Sequence, residues 1–177
     1  MAPVSYVEVE SPIGPLVLGA TEKGLCQVEF GRFADVEHKL QKWSERWFHT
    51  KEWRLDRQAL QEATEQLQQY FAGSRTRFEL PLDLRGTEFQ LKVWQALGRI
   101  PYGTVCSYKD IGQAVDSIKA VRAVGGANNR NPIPVIVPCH RVIGANGTMV
   151  GYGGGLDVKT FLLQLEGYRQ EKGSFKQ

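Results

Sequence analysis

The chain has 177 residues, 42% of them hydrophobic and 23% charged, with a formal net charge of +3. That balance fits one globular domain or two small ones and excludes a disordered chain. No run approaches the roughly 18 apolar residues of a membrane helix, and the opening residues, MAPVSYVEVE, lack the basic and apolar regions of a secretory signal.

In chain order, VSYVEVE alternates as a strand does, SPIGP reads as a turn, and LVLGATEKGLCQVEF reads as a hairpin turning near Glu22 to Gly24. Helices are predicted from Phe33 to about Trp47 and from Arg57 to Phe71, with Gly73 as the stop of the second. The short, proline-containing FELPLDLRG places a domain boundary near Pro81, giving an N-terminal domain over 1–80 and a C-terminal one over 81–177. Thr87 and Gln90 have capping-box spacing ahead of a helix with Phe89, Val93, Trp94 and Leu97 on one face. RIPYGTV is a loop, after which Ser107 caps a short helix from Tyr108 to about Val115. Asp116 and Ser117 form a tight turn, and a second short helix runs from Ile118 to about Asn128. That pair has the form of a helix-turn-helix, a form shared by many helical pairs that do not bind DNA. Asp157 is expected to cap a last helix carrying Leu156, Phe161, Leu162 and Leu165, with Glu166 near its end and Gly167 after it.

The second helix of the pair contains RAVGGANN. Two glycines inside a helix cost roughly 1 kcal/mol each relative to alanine. They mark either a loose helix end or a face that lets the backbone approach something large and flat, such as a duplex groove, with Arg122 at its start. Charge is uneven over the same region. Lys109, Lys119, Arg122, Arg130 and Arg141 stand against Asp110 and Asp116 between Ile100 and Arg141. That surplus suits either a phosphate-bearing partner or an ordinary solvated face.

The chemistry concentrates in IPVIVPCHRVIG, Ile133 to Gly144. A free cysteine is usually a buried structural thiol. Here His140 and Arg141, which a core strand would avoid, follow Cys139 directly. The prolines at 134 and 138 predict an extended backbone. Adjacent side chains of an extended chain point to opposite faces. His140 is therefore expected to take the thiol proton through a bridging water, oriented by a carboxylate that spacing alone does not identify. The three cysteines, Cys26, Cys106 and Cys139, form no CxxC and cannot all pair, which points to reduced thiols in a cytoplasmic or nuclear compartment. With His38 and His49 they show no metal-ligand spacing, so no metal is expected. GYGGGLDVKT lacks the GxxxxGK[ST] spacing of a phosphate loop and reads as a flexible loop against a pocket, with Tyr152 as a wall.

Together SYKDIG, AVRAVGGA, NPIPVIVPCHRVIG, GYGGGLDVK and LLQLEG, in this order, resemble the O6-alkylguanine-DNA alkyltransferase family. The likeness is dense from about Phe89 to Gly167 and is carried before that chiefly by SPIGPLVL. It implies an α/β protein: a small ribonuclease H-like N-terminal α/β domain and a mainly helical, winged-helix-like C-terminal domain with a helix-turn-helix. It implies repair of double-stranded DNA containing O6-alkylguanine by a monomer that uses no cofactor. The lesion base is flipped from the minor groove and its alkyl group passes once, irreversibly, to Cys139; O4-alkylthymine is a second substrate left open.

Residue by residue, the resemblance makes His140 the water-mediated base, Glu166 its orienting carboxylate and Asn131 the hinge behind the nucleophile. Arg122 becomes the finger that fills the base stack, Tyr108 the donor to guanine N3, and Lys109 a further DNA contact. Val142, Tyr152 and Gly153 join Tyr108 in lining the pocket. The family often has serine at the position of Gly153, where the expected contact comes from the backbone N–H that glycine keeps. Some members carry zinc in the N-terminal domain, but only Cys26 stands in the matching region. A protein that merely senses alkylated bases, or a cysteine hydrolase, are the competing functions; the joint presence of Cys139, His140 and Glu166 favours transfer over the first, and RAVGGA would go unexplained by the second.

Overall fold

The computed structural model describes residues 2–116, 121–144, 147 and 152–168. The chain divides into two compact units, Met1–Arg85 and Gly86–Gln177. No helix among the described residues is long and apolar enough to cross a membrane.

In the first unit β1 (Val4–Val9), β2 (Leu16–Thr21) and β3 (Gly24–Phe30) form an antiparallel meander, and β4 (Trp53–Leu55) adds in parallel to β1. The sheet order is β3-β2-β1-β4. Consecutive residues Leu16, Val17 and Leu18 are all fully buried, so the central strand is covered on both faces. Helices α1 (Phe33–Phe48) and α2 (Gln61–Phe71) complete the unit. An aromatic group packs α1 onto the sheet: Tyr6 stacks on Phe33 at 3.8 Å, and the Trp53 indole donates to Ser44 Oγ at 3.0 Å.

Two expectations change here. β4 was not anticipated, and α2 starts at Gln61 rather than Arg57. Asp56 Oδ1 accepts from the Ala59 amide at 3.1 Å, holding residues 57–60 in turns before the helix begins. Helix α2 ends as expected, with Gly73 at φ 81 and the amides of Gly73 and Ser74 returning to the Tyr70 and Gln69 carbonyls.

The segment after α2 is fastened to this unit. Gln66 donates to the Glu79 carbonyl at 3.1 Å and accepts from its amide at 2.8 Å. Leu25 then gives its amide to Pro81 O at 2.9 Å and receives that of Asp83 at 2.7 Å.

The second unit is mainly helical. Helix α3 (Glu88–Leu97) opens with the expected capping box, Thr87 and Gln90 each bonding the other's backbone amide. It buries Val93, Trp94, Ala96 and Leu97. Strand β5 (Cys106–Ser107) leads into α4 (Tyr108–Ala114), where Ser107 caps as expected and Asp110 completes a second capping box. Asp116 adopts φ 57. Ser117, Ile118, Lys119 and Ala120, the expected turn and start of the next helix, lie outside the described residues. Helix α5 (Val121–Asn129) continues unbroken through Gly125 and Gly126, which removes the loose-end reading of those glycines. The Trp94 indole donates to the Ala127 carbonyl at 2.8 Å and so satisfies part of the end of α5.

The largest departure is at Ile133–Arg141, expected to be extended. Val137 returns its amide to Ile133 O at 2.9 Å, and the buried Val135 stands at φ 73. Cys139 N–H bonds Val137 O at 2.8 Å across Pro138, at φ −81 and ψ 66, an inverse γ-turn. Cys139–Arg141 then form a single 3-10 turn. Proline fixes φ but leaves ψ open, and here ψ turns the chain. Strand β6 (Val142–Ile143) follows and pairs in parallel with β5. The last helix, α6 (Leu156–Leu165), is preceded by Gly155 as its N-cap, so Asp157 lies in the first turn and is not the cap.

Candidate active site

Three local devices build the site. The first is the turn at Cys139–Arg141, which redirects three consecutive side chains that an extended chain would alternate. All three are buried, His140 completely.

The second is the end of α6. Glu166 is the C-cap, and Gly167 at φ 84 takes the left-handed position that follows. The amides of Gly167 and Tyr168 return to Gln164 O and Leu163 O at 3.0 and 2.9 Å, a Schellman closure with Tyr168 packed on the Leu163 cluster. A carboxylate at a helix C-terminus is opposed by the helix dipole. Glu166 stays ionised because two neighbours supply hydrogen bonds. His140 Nε2 lies 2.7 Å from Oε2, and Arg141 donates Nε to Oε1 at 2.8 Å and Nη2 to Oε2 at 2.9 Å. Burial alone would raise the Glu166 pKa, but these bonds and charges win and hold it at about 2. Arg141 spends a third donor on Ile100 O at 2.6 Å.

The tautomer follows. An ionised carboxylate only accepts, so Nε2 carries the proton toward Glu166. Burial lowers the His140 pKa, with Glu166 opposing, and keeps the imidazole neutral. The lone pair is therefore on Nδ1, which is buried and makes no hydrogen bond among the described residues. His140 is thus built as a proton acceptor with its second nitrogen already anchored.

The third device surrounds the sulfur. Asn131 Nδ2 donates to Val137 O at 2.7 Å while its Oδ1 accepts the Ile133 amide at 2.9 Å, clamping both ends of the turn, and its side chain reaches the Cys139 thiol. Asn128 reaches the Cys139 carbonyl at 3.5 Å. Burial pushes the thiol up to about 11, with Asn131 and Lys159 pulling it back. Cys139 is protonated at rest and needs a route for its proton. Tyr108 and Tyr152 both feel the sulfur electrostatically, and burial raises both phenols, keeping them protonated.

The residues predicted from sequence thus separate. Cys139, His140, Glu166, Asn131, Tyr108 and Tyr152 come together. Val142 is buried and follows the turn directly, and Gly153 is exposed beside Asn129 O. Lys109 and Arg122 are exposed on α4 and α5. Arg141 leaves the basic surplus, since it is buried against Glu166. Lys109, Arg122 and Arg130 remain on the surface. A carbon added at Gly125 would meet only the Tyr108 ring, at 4.0 Å, and one at Gly126 nothing within 4 Å, so this face of α5 is low and open.

Two residues went unassigned in the sequence reading. Arg141 was noticed but given no role. Lys159 was missed, although it stands with Leu162, Leu163 and Glu166 at helical spacing on the buried face of α6. A lysine on an apolar stripe with a glutamate two turns on was the available signal.

A family model described as "6-O-methylguanine DNA methyltransferase, ribonuclease-like domain" matches residues 4–84, and one described as "6-O-methylguanine DNA methyltransferase, DNA binding domain" matches residues 88–168. The chain is 48% identical to a methylated-DNA–protein-cysteine methyltransferase of Methanosarcina acetivorans, over 92% of this chain and 97% of that one. It is 47% identical to the constitutive methylated-DNA–protein-cysteine methyltransferase of Bacillus subtilis, over 91% and 94% of the two chains. Among solved structures, the Mycobacterium tuberculosis OGT in complex with DNA superposes with a TM-score of 0.79 at 44% identity, covering 92% of each chain.

Proposed function

This chain belongs to the 6-O-methylguanine DNA methyltransferase family, and from that membership we propose that it repairs DNA by direct reversal, taking an alkyl group from O6 of guanine onto its own Cys139. The observation that carries the assignment of the acceptor is the shared carboxylate. Glu166 is ionised by Arg141 and fixes His140 in the tautomer that leaves Nδ1 as a base next to a buried thiol.

The thiol proton leaves Cys139 through a bridging water to His140 Nδ1, and Glu166 stabilises the imidazolium. The sulfur attacks the alkyl carbon, so an S–C bond forms as the C–O6 bond breaks, and the electron pair passes to the purine. Tyr108 gives its hydroxyl proton to guanine N3, and the base departs neutral. The phenolate left behind regains a proton as the imidazolium loses one, so charge balances. A thioether offers no good leaving group, and each molecule acts once. The Gly153 amide faces O6, Val142 and Tyr152 wall the pocket, and Asn131 holds the turn against the helices.

The lesion reaches this pocket by flipping. Helices α4 and α5 act as a helix-turn-helix entering the minor groove, whose degenerate code suits a scanner that reads no sequence. The low face at Gly125 and Gly126 supports close backbone approach. Arg122 fills the gap in the stack, offsetting part of the few kcal/mol that flipping costs, and Lys109 contacts phosphate. The protein works as a monomer, and its three free thiols suit a reducing cytoplasm.

The deciding measurement is intact mass after incubation with a duplex carrying one O6-methylguanine. One methyl replacing one proton per protein, mapped to Cys139 and absent in Cys139→Ala, is expected. Tight binding without a change of mass would leave a lesion sensor instead, and continued turnover would leave a hydrolase.

A further inference from the structure

The IPYGT loop between α3 and β5, residues 100–104, closes around the buried Arg141–Glu166 pair at several points. Ile100 O accepts Arg141 Nη1 at 2.6 Å. The Tyr102 ring lies 5.8 Å from the Arg141 guanidinium carbon, at the outer edge of cation–π range. The Tyr102 hydroxyl donates at 3.3 Å to the carbonyl of Leu165, the residue before Glu166 and one of the acceptors that a helix end leaves over. Gly103 completes the approach, since a carbon added there would stand 3.1 Å from the Glu166 carbonyl oxygen.

The loop holds this position by its own bonding. Thr104 returns its amide and its hydroxyl to Pro101 O at 3.2 and 2.8 Å. Gly103, at φ 81 in the third place, makes this a type II turn. Val105 follows, buried in one cluster with Leu163 of α6. Burial and then the Glu166 charge raise the Tyr102 pKa, against Arg141, so the phenol stays neutral and keeps its proton for Leu165.

We propose that Tyr102 is a positioning residue for alkyl transfer: its ring covers the Arg141–Glu166 pair against water, and its hydroxyl fastens that cover to the end of α6. This rests on His140 being the base that takes the Cys139 proton. An ion pair weakens wherever water reaches it. Arg141 and Glu166 are almost completely buried, whereas Tyr102 is half-buried, so the ring forms the layer between the guanidinium and solvent. Leucine would supply apolar cover without a π face for the cation. Phenylalanine would supply the face without the tie to Leu165. With the pair kept dry, Glu166 holds the His140 Nε2–H and leaves Nδ1 free to accept.

The experiment reads that N–H directly. Of the three histidines, His38 and His49 are exposed and only His140 is buried. In protein carrying isotopically labelled histidine, NMR should show one slowly exchanging imidazole N–H, that of His140 Nε2. Tyr102→Leu should lose it to solvent exchange. Gly103→Ala should lose it as well, because the strained turn lifts an intact tyrosine off α6. Single-turnover methyl transfer is followed in parallel at increasing concentrations of lesion duplex. The maximal rate should fall by about tenfold in Tyr102→Leu, part of what a general base owes to its orientation. It should fall by about threefold in Tyr102→Phe, the worth of one ordinary hydrogen bond. The duplex concentration for half-maximal rate should not move.

A protected N–H surviving in both Tyr102→Leu and Gly103→Ala overturns the proposal, as does a loss confined to the half-maximal concentration. Should neither variant fold, wild type decides, because a His140 N–H that already exchanges freely has no cover to lose. Failure of wild type to methylate Cys139 rejects the acceptor assignment instead, and the NMR signal reads the covered pair without it.

Discussion

Arg141 grips Glu166 with two hydrogen bonds, Nε to Oε1 at 2.8 Å and Nη2 to Oε2 at 2.9 Å, and both side chains are almost completely buried. The pair sits where the backbone itself disfavours a negative charge, at the C-terminus of α6. Arg141 therefore acts on the proposed base through Glu166. It keeps the carboxylate ionised, and the carboxylate keeps the His140 Nε2–H in place.

Breaking that pair from either side should be severe but distinguishable. Arg141→Met leaves Glu166 buried with His140 as its main partner and should destabilise the protein by about 3–5 kcal/mol. Its carboxyl pKa should rise, and His140 should lose its fixed tautomer. Glu166→Gln leaves Arg141 as the uncompensated charge and should cost a similar amount. Its methyl transfer should fall further than its stability explains, by about 100-fold or more, as expected when a general base loses its orienting group. Chemical denaturation and single-turnover mass measurements on the folded fraction separate the two effects.

Stability should rise steeply with pH on the acid side. Glu166 is held at about 2 against an ordinary 4.5. Its contribution is fully present above the ordinary value and is lost as pH falls from there through about 2, a total of roughly 3 kcal/mol. His140 adds to the same slope. Its folded pKa is depressed below 6.5, so under that pH the unfolded chain binds a proton that the native site refuses. Denaturation midpoints across the acid range should show both losses. Glu166→Gln should flatten the lower window and, because the carboxylate opposes the effect of burial on His140, extend the His140 window to lower pH.

What the sequence made legible was local. Thr87 with Gln90, and Ser107 ahead of α4, announce helix starts because a side chain three residues away meets the backbone whatever the tertiary fold. Cys139, His140 and Arg141 were conspicuous because thiol, imidazole and guanidinium rarely close an apolar run. What stayed hidden depends on ψ or on distant chain. Pro138 fixes φ, yet its ψ of 66 makes a turn where the spacing suggested a strand. β4 is three residues long and exists only because β1 pairs with it in parallel. Gly155, not Asp157, caps α6, since the chain enters the helix two residues before the aspartate. Glu166 was found through family likeness, for nothing in its own neighbourhood says that a turn 26 residues earlier would bring His140 to it.

Gly24 tests how the first unit holds the chain that leaves it. At φ 149, a carbon added there would stand 2.4 Å from the Pro81 carbonyl oxygen, a backbone atom that cannot swing aside. Gly24→Ala should break the Leu25 pairing with Pro81 and Asp83 and cost about 2 kcal/mol or more, combining a strained backbone with lost hydrogen bonds. Hydrogen exchange at the Leu25 and Asp83 amides should speed up. Unchanged exchange there would mean that the segment shifts freely.

Arg122→Ala tests the proposed finger. The side chain is exposed on α5, so its loss should leave stability within about 0.5 kcal/mol. Transfer from duplex DNA should drop by about tenfold or more, the share of the flipping cost that the inserted guanidinium offsets. Transfer from the free alkylated base should be unaffected. Equal loss on both substrates would place Arg122 elsewhere in the reaction.

Val135 gives the sharpest test of how the nucleophile turn is held. It is β-branched, fully buried and at φ 73, where branched side chains are rarely found. Such a residue stores about 1–3 kcal/mol, sustained only because its surroundings leave no alternative. Asn131 clamps Ile133 and Val137 on either side, and Val137 returns its amide to Ile133. Truncation to alanine loses core contacts and keeps the backbone strain. Truncation to glycine loses slightly more contact but releases the strain. Val135→Gly should therefore be at least as stable as Val135→Ala, the reverse of the usual order in a buried site, by about 1 kcal/mol. Its methyl transfer should nevertheless fall below that of Val135→Ala, because the relaxed turn no longer holds Cys139 against His140. A glycine variant both less stable and more active than the alanine variant would show that strain at Val135 plays no part in setting the nucleophile.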